Sequence, residues 1–302
     1  MPNRWWIYQK ERFPVFKHGI LILVFSLSAL CYSSLLRGDG AWPSLLAMTV
    51  SFVSVFIFFL MLRIADEFKD FDEDTRYRPY RPVPRGLVTL PELATVAVLG
   101  GFIQAGLCLW LEPKLLLPLA AAWSYLALMS KEFFVGEWLK AHPLLYMFSH
   151  MVIMPLIVFF AMACDWLVAG TPGIATDAAW FLAVSFFGGI VIELGRKIRA
   201  PEDEETGVDT YSRLWGPGAA ASAWVAALAS SGISACLAAH EIGFLTPVAA
   251  VSGLLFVWAA LASYRFALTR SHSLSKHIEN IAGIWILAMY LMLGVIPLLV
   301  RL

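Results

Sequence analysis

Residues 66–86 read D-E-F-K-D-F-D-E-D-T-R-Y-R-P-Y-R-P-V-P-R-G, an acidic half followed by a basic half. They follow an apolar run, residues 44–64, that is long enough to cross a bilayer as a helix. If that helix continues, Asp66, Asp70 and Asp74 recur at every fourth position and lie on one face. Like charges this close repel each other, so the stripe indicates a cation between them. A hard ion such as Mg²⁺ binds a few carboxylates together with water and phosphate oxygens.

The basic half alternates arginines with prolines: Arg76, Arg78, Arg81 and Arg85 are interleaved with Pro79, Pro82 and Pro84. Proline ends a helix and stiffens the segment that follows, so the guanidinium groups are expected on an ordered loop close to the carboxylates. The planar guanidinium matches phosphate oxygens. The pattern predicts a diphosphate site at a membrane surface. The alternative is a solvated loop whose acids and bases pair with each other, and the repeated i+4 spacing counts against it.

This segment resembles the first signature of the UbiA superfamily of membrane prenyltransferases, usually N-D-x-x-D-x-x-x-D followed by R-P-x-R-P-I. Asp70 and Asp74 match the signature. Asp66 stands where the family usually has Asn, and Glu67 stands where it often has Asp. The resemblance implies a bundle of membrane helices around a site for Mg²⁺ and an isoprenoid diphosphate.

Composition excludes a soluble domain, because 60% of the 302 residues are hydrophobic, only 15% are charged and the mean hydropathy is +0.73. We predict an all-α, polytopic membrane bundle with about nine transmembrane helices of roughly 20 residues each. The predicted spans centre on residues 21–36, 46–64, 93–111, 115–130, 144–164, 178–198, 219–239, 244–268 and 281–300, of which 115–130 is among the shortest. Residues 1–302 are expected to form one membrane domain, with the first acidic motif (66–86) in helices 1–4 and the second (193–216) in helices 5–9.

The distribution of basic residues predicts the orientation. With about nine spans and a cytoplasmic N-terminus, only Arg37, Lys114 and Arg301 fall outside, as the positive-inside rule requires. Both motifs are then cytoplasmic, and we expect an integral protein of a bacterial inner membrane with no removable signal peptide. The four cysteines show no metal-ligand spacing and are interpreted as packing residues. The net charge of zero gives no indication of a nucleic-acid partner, and the sequence does not predict the oligomeric state.

A second charged cluster follows the sixth predicted span. It begins at Glu193 and contains the cations Arg196, Lys197 and Arg199 and the acids Glu202, Asp203, Glu204 and Glu205. It resembles the second signature of the same superfamily, but Glu193 stands at the position of the first Asp and Ala200 at the position of another. The additional positive charge suggests that arginine and lysine neutralise part of the diphosphate. Despite this departure, the sequence still predicts that a diphosphate binds. It does not identify the substrate.

The resemblance implies a role for each matching residue. Catalytic roles fall to Asp66, Asp70, Asp74 and Glu193, and the implied metal ligands are these four residues and Asp203. The diphosphate-binding residues are expected to be Arg78, Arg81, Lys131, Arg196 and Lys197, with Lys131 assigned from a loose tyrosine-then-lysine pattern at the end of the fourth span. His150, inside the fifth span, is expected either to bind substrate or move a proton, or to be a packed, hydrogen-bonded histidine.

The resemblance implies a Mg²⁺-dependent prenyltransferase that ionises an isoprenoid diphosphate and transfers the prenyl group to an aromatic or lipid acceptor. Three alternatives remain open. The first is a membrane terpene cyclase of the same fold, the second is phosphoribosyl transfer to a polyprenyl phosphate, and the third is a cation transporter. A transporter would place charges near the bilayer midplane, whereas here they gather at helix ends. The acceptor and the length of the prenyl chain cannot be read from the sequence, because the shape of an apolar cavity determines both.

Overall fold

The computed structural model describes residues 3–38, 40–171 and 176–301, and these residues contain helices and no β-strand. The α-helices are α1 (Arg4–Arg12), α2 (Val15–Leu36), α3 (Leu45–Lys69), α4 (Phe71–Tyr77), α5 (Leu90–Leu111), α6 (Leu116–Ser130), α7 (Gly136–Lys140), α8 (Pro143–Met151), α9 (Ile153–Trp166), α10 (Ala178–Arg196), α11 (Tyr211–Trp215), α12 (Pro217–Glu241), α13 (Leu245–Thr269), α14 (His272–Leu293) and α15 (Val295–Val300). Short 3₁₀ turns cover Pro113–Leu115, Glu132–Phe134 and Pro201–Asp203.

The prediction of an all-α bundle of about nine membrane helices is confirmed. Within the described ranges, eight helical segments are long and apolar enough to span: Val15–Leu36, Leu45–Lys69, Leu90–Leu111, Pro143–Trp166, Ala178–Arg196, Pro217–Glu241, Leu245–Thr269 and His272–Val300. The remaining predicted span, 115–130, corresponds to α6, which has 15 residues. At about 1.5 Å per residue it is about 22 Å long, so it is shorter than the usual hydrocarbon thickness.

Helix α6 connects the two ends of the bundle. It begins beside the end of α5, after the 3₁₀ turn Pro113–Leu115. It ends at Lys131 and Glu132, and the Glu132 carboxylate lies 3.5 Å from the Tyr146 hydroxyl at the start of the next span. The successive long helices therefore alternate in direction, and the ends of α3 and α10 come to the same end of the bundle.

Polar side chains in the interior bond from one helix to the next. Gln104 of α5 donates to the Ser54 carbonyl of α3 at 2.8 Å and accepts from the Trp123 indole of α6 at 2.9 Å. The Trp224 indole of α12 donates to the Val191 carbonyl of α10 at 3.1 Å. Interhelical hydrogen bonds of this kind supplement van der Waals packing, which drives helix association in a bilayer.

The acidic stripe lies at a break between two helices. Helix α3 ends at Lys69, Asp70 has non-helical dihedral angles (φ −93°, ψ 8°), and α4 begins at Phe71. The hydrogen bonds from the Asp70 amide to the Asp66 carbonyl and from the Asp74 amide to the Asp70 carbonyl nevertheless retain the i to i−4 pattern. Helix α4 ends at Tyr77, two residues before Pro79, where proline is expected to stop it.

A close approach of two helices provides a test of this packing. A Cβ atom on Gly294, where α14 ends, would clash with backbone atoms of Ser28 in α2. Gly294→Ala should therefore destabilise the protein by about 1–3 kcal/mol through overpacking, measured as a lower melting temperature in detergent. Gly253→Ala in α13 is the matched control, since nothing lies within 4 Å of a Cβ there. Equal melting temperatures for the two variants would contradict the described contact between α2 and α14.

Candidate active site

Both charged motifs lie at one end of the bundle, which we call the motif end and define by residues 66–86 and 193–216. The clearest contact between the motifs joins Gly207 to Tyr77. A Cβ atom on Gly207 would overlap the Tyr77 ring, and Gly207 has φ +75°. Glycine is therefore required there for two reasons, a left-handed backbone and the aromatic ring against it. This contact places the loop of the second motif directly on α4 of the first.

Asp74 lies in a cluster of arginines. Its side chain is 2% exposed, and its carboxylate is 2.9 Å from the Arg78 guanidinium and 2.7 Å from the Arg81 guanidinium. The Arg12 guanidinium is 4.0 Å away. A buried carboxylate needs such counter-ions, since desolvation costs several kcal/mol per ion. In this conformation the cations occupy the oxygens that the sequence assigned to a metal, and Arg78 and Arg81 bind Asp74 rather than standing free for phosphate.

Glu67 connects the first motif to the N-terminal helix. Its side chain is 1% exposed, and it accepts a 2.5 Å bond from the Arg12 Nε atom at the end of α1. Two further ion pairs hold α1 on the bundle: Arg4 with Glu92 at 2.6 Å, and Glu11 with Arg85 at 2.9 Å. Helix α1 is thus attached at the motif end by charged contacts along its length.

Asp66 and Asp70 are the carboxylates of the stripe that remain accessible. The Asp66 side chain is 40% exposed, and the nearest cation is the Arg63 guanidinium at 3.4 Å. Burial raises the pKa of the partly exposed Asp70 above its ordinary value; the Lys69 ammonium opposes this shift, and the neighbouring carboxylates of Asp66, Asp74 and Glu73 add to it. The raised pKa means that burial disfavours the ionised form of Asp70. A bound cation would stabilise that form.

The start of the second motif presents cations rather than acids. Glu193 of α10 is bonded to Arg196 at 2.6 Å and to Lys197 at 3.0 Å. The Glu193 side chain is 14% exposed, whereas the Arg196 and Lys197 side chains are 49% and 35% exposed. One carboxylate therefore holds two cations whose outer faces remain accessible. Arg196 also interacts electrostatically with Asp66 of the first motif.

The remaining predicted residues have other neighbours. The carboxylate of Asp203 lies 2.6 Å from the His272 ring and 3.4 Å from the Ser275 hydroxyl, both at the start of α14. Lys131 is exposed at the end of α6. The metal role of Asp203 and the diphosphate role of Lys131 stay predictions.

Lys69 and His150 meet at Tyr146 of α8. The Lys69 ammonium donates to the Tyr146 hydroxyl at 2.6 Å, and the Tyr146 ring stacks on His150 with 4.0 Å between ring centroids. The His150 Nδ1 atom is 2.8 Å from the Tyr146 carbonyl. A carbonyl only accepts, so Nδ1 carries the proton and Nε2 has a free lone pair. Nε2 is buried and has no partner in the part of the chain that the structure describes.

The side chains at the motif end include two that could bind a metal ion. No group of three or more His, Cys, Asp or Glu side chains that could hold a metal occurs in residues 3–38, 40–171 and 176–301. Two accessible carboxylates, Asp66 and Asp70, nevertheless fit a hard ion that takes most of its ligands from water and phosphate. The chemistry of the site therefore suits Mg²⁺ held jointly with a phosphorylated ligand rather than a closed protein cage.

The fold and this end of the bundle define an all-α integral membrane protein. Accessible carboxylates, Asp66 and Asp70, and accessible cations, Arg196 and Lys197, lie at the same end. The sequence matches the UbiA prenyltransferase family over residues 22–293. The chain belongs to this family. No curated protein matches it in sequence.

Solved structures show the same fold at low sequence identity. A UbiA homologue from Aeropyrum pernix K1, in its apo form, has a TM-score of 0.65 at 17% identity, covering 90% of this chain and 98% of that one. A digeranylgeranylglyceryl phosphate synthase has a TM-score of 0.60 at 13% identity, covering 94% and 99%. A UbiA homologue from Archaeoglobus fulgidus, bound to DMAPP and Mg²⁺, has a TM-score of 0.55 at 12% identity, covering 92% and 97%.

Sequence reasoning missed the contacts that Arg12 and Tyr146 make with Glu67 and Lys69 at the motif end. The sequence assigned Glu67 only a place in the family signature. The contact of Arg12 with Glu67 joins positions 55 residues apart, so no local spacing reveals it. On a continuous helix Glu67 lies seven positions before Asp74 and therefore on the same side, which agrees with the approach of Arg12 to both carboxylates. The spacing does not identify Arg12 as the partner.

The contact between the motifs can be tested at Gly207. Gly207→Ala should lower both the melting temperature and any activity at the motif end, because it adds a clash with the Tyr77 ring to the cost of a left-handed alanine. Gly243→Ala is the matched control: φ is +66° but nothing lies within 4 Å of a Cβ. Both variants carry a backbone cost of about 1–2 kcal/mol, and only Gly207→Ala carries an additional overpacking cost of about 1–3 kcal/mol. Equal losses would contradict the packing of Tyr77 on Gly207.

Asp74 and Asp70 should respond oppositely to removal of charge. Asp74→Asn leaves buried guanidiniums without their counter-ion and should destabilise the protein by about 3–5 kcal/mol. Asp70→Asn removes a charge that burial and like charges disfavour, so the metal-free melting temperature at neutral pH should be unchanged or higher.

The raised pKa of Asp70 predicts how the stability effect of Asp70→Asn varies with pH. The pKa of Asp70 is raised in the folded state, so its ionisation lowers stability as pH rises through that value. Any gain from Asp70→Asn should therefore disappear below its ordinary pKa of 3.8, where the carboxyl is protonated in both states. Melting curves in detergent across pH measure this, and a large loss of stability for Asp70→Asn at neutral pH would contradict the assignment.

Proposed function

We propose that this protein is a Mg²⁺-dependent membrane prenyltransferase that ionises an isoprenoid diphosphate and transfers the prenyl group to an aromatic or lipid acceptor. The observation that carries the proposal is that two accessible carboxylates, Asp66 and Asp70, share one end of the bundle with an accessible cation pair, Arg196 and Lys197. Family membership supports it, as does a neighbouring structure that holds DMAPP and Mg²⁺. The site lies between the two halves assigned from the sequence, helices 1–4 and helices 5–9.

In this proposal some residues contact the substrate, and others hold those residues in position. Asp66 and Asp70 would hold Mg²⁺, which supplies electrostatic stabilisation of the departing diphosphate. Arg196 and Lys197 bind diphosphate oxygens directly, as charge-assisted donors do. Glu193 holds both cations in place. Lys131 remains a further predicted diphosphate ligand.

Asp74, Glu193 and Asp203 were also predicted metal ligands. In the proposed arrangement Asp74 acts through the arginine cluster, because its oxygens already accept from Arg78 and Arg81. Glu193 acts through Arg196 and Lys197. Asp203 is bonded to His272. Its role in metal binding stays a prediction.

The reaction breaks the bond between the allylic carbon and the diphosphate oxygen, and both electrons leave with the diphosphate. The apolar interior of the bundle encloses the prenyl chain and keeps water from the allylic cation. An electron pair of the acceptor forms the new bond to the allylic carbon, and the acceptor loses a proton. Arg196 and Lys197 are held in place before the reaction, so they stabilise the negative charge that develops on the departing diphosphate.

We further propose that the motif end is cytoplasmic and that the membrane is a bacterial inner membrane. The end of the bundle at which both motifs lie carries most of the basic residues of the chain, among them Lys10, Lys17, Lys69, Arg196 and Lys197. Such an excess is typical of the cytoplasmic side.

Diphosphate release by the purified protein tests the proposed function. The protein in detergent is incubated with Mg²⁺ and prenyl diphosphates of increasing length, with and without an aromatic or lipid extract, and diphosphate and product mass are measured. We expect release that depends on Mg²⁺ and on the acceptor. Asp70→Asn should lower the rate at least a hundredfold, on the order of losses for electrostatic groups in active sites.

Asp72→Asn is the matched control, because Asp72 is an exposed residue of the same segment. It should retain the wild-type rate. Release without acceptor and a cyclic product would replace the transferase by a terpene cyclase. No release under any condition would overturn the proposal in favour of phosphoribosyl transfer or transport.

A further inference from the structure

An apolar cavity of about 570 Å³ lies beside the N-terminal helix, apart from the charged residues of the motif end. Trp5 and Tyr8 of α1 line it on one side, and Phe56 and Leu60 of α3 and Val96 of α5 line it on the other. Its volume falls within the range of about 300–1,000 Å³ that is typical of small-molecule sites. Leu60 and Val96 lie near the motif-end termini of two membrane spans, so the cavity lies in the leaflet at that end.

Helix α1 forms one wall of the cavity and is fixed to the bundle. The ion pairs Arg4–Glu92, Arg12–Glu67 and Glu11–Arg85 attach it near both ends. Between these pairs, Tyr8 packs on Ile64 and Leu93. The wall that α1 contributes is therefore held in place by charged and apolar contacts.

The lining of the cavity is predominantly apolar. Tyr8 is 4% exposed and lines the cavity, but its hydroxyl is enclosed by protein and is not accessible from it. Phe56, Leu60 and Val96 line the opposite wall. Such a lining suits an apolar chain.

The surface near the cavity has unbalanced positive charge. Lys10 and Lys17 are exposed, next in sequence to the lining residues Gln9 and Phe16. Within residues 3–38, 40–171 and 176–301, neither lysine makes an ion pair. The nearby carboxylates Glu11, Glu67 and Glu92 already bind arginines. The two lysines are therefore available to an external anion at the level of the lipid headgroups.

We propose that this cavity binds one acyl chain of an anionic phospholipid of the surrounding bilayer. The lipid phosphate lies at Lys10 and Lys17, and the chain fills the apolar space between α1, α3 and α5. Juxtamembrane lysines attract anionic lipids, and an interfacial helix with an apolar face lies at this depth. The site is distinct from the proposed diphosphate site and does not depend on the proposed reaction.

The bound lipid also supports the first motif. The helix that covers the chain carries Arg12 at its end, and Arg12 is the counter-ion of Glu67. A lipid that keeps α1 in place therefore keeps this buried carboxylate paired. Loss of the lipid exposes the cavity and weakens the contacts that hold α1.

Native mass spectrometry tests the proposal. The full-length protein is released from nanodiscs that contain equal amounts of phosphatidylglycerol and phosphatidylcholine, and the retained lipid is identified. We expect one phosphatidylglycerol per protein. Val96→Trp fills the cavity and should abolish retention, whereas Val98→Trp, on an exposed position of the same helix that does not line the cavity, should retain the lipid.

The double variant Lys10→Gln, Lys17→Gln should lower the preference for phosphatidylglycerol by about fivefold per lysine, while Lys114→Gln at the opposite end should leave it unchanged. Equal retention by Val96→Trp and Val98→Trp would overturn the proposal. So would equal retention of both phospholipids by the wild type. A shift from dimer to monomer in Val96→Trp would assign the cavity to a second copy of the chain instead, and would also overturn it.

Discussion

The buried carboxylate of Asp74 determines the geometry of the motif end. Its two oxygens accept from Arg78 and Arg81, and the segment after α4 must fold back to supply them. Prolines restrict the backbone of that segment, so its return path is narrow. Since an unpaired buried charge costs several kcal/mol, the acid and the arginines fold together. The arginines thereby become part of the framework, and Asp66 and Asp70 are left as the accessible acids.

The two motifs thus present opposite charges. In the first motif, Asp74 neutralises Arg78 and Arg81, and the carboxylates of Asp66 and Asp70 remain accessible. In the second motif, Glu193 holds Arg196 and Lys197, and these cations remain accessible. In the proposed reaction, a diphosphate would reach a metal on one side and direct cations on the other. This arrangement gives a physical meaning to the departure of the second motif from the family signature. At Ala200, where the resemblance implies an Asp, this chain has no carboxylate, and Arg199 lies next to it.

The fold was predictable because apolar runs of the required length occur at regular intervals, and the charged stretches fell at their ends. Helix α6 was the least certain span for a physical reason, since its 15 residues are fewer than a bilayer usually requires. The roles within the site were less predictable. The i+4 spacing showed that Asp66, Asp70 and Asp74 share a face, but it carries no information on distant partners. The bond from Arg12 to Glu67 and the packing of Tyr77 on Gly207 are set by the tertiary fold.

The N-terminal helix connects the membrane surface to the buried charges. Its aromatic residues face the apolar cavity, and its last residue, Arg12, reaches Glu67 and approaches Asp74. A displacement of α1 would therefore leave Glu67 without its counter-ion and change the field around the first motif. Glu67 is adjacent to Asp66 in the chain, so the position of an interfacial helix and the electrostatics of the proposed metal site cannot vary independently. The proposed lipid would therefore act on the geometry of the motif end through α1.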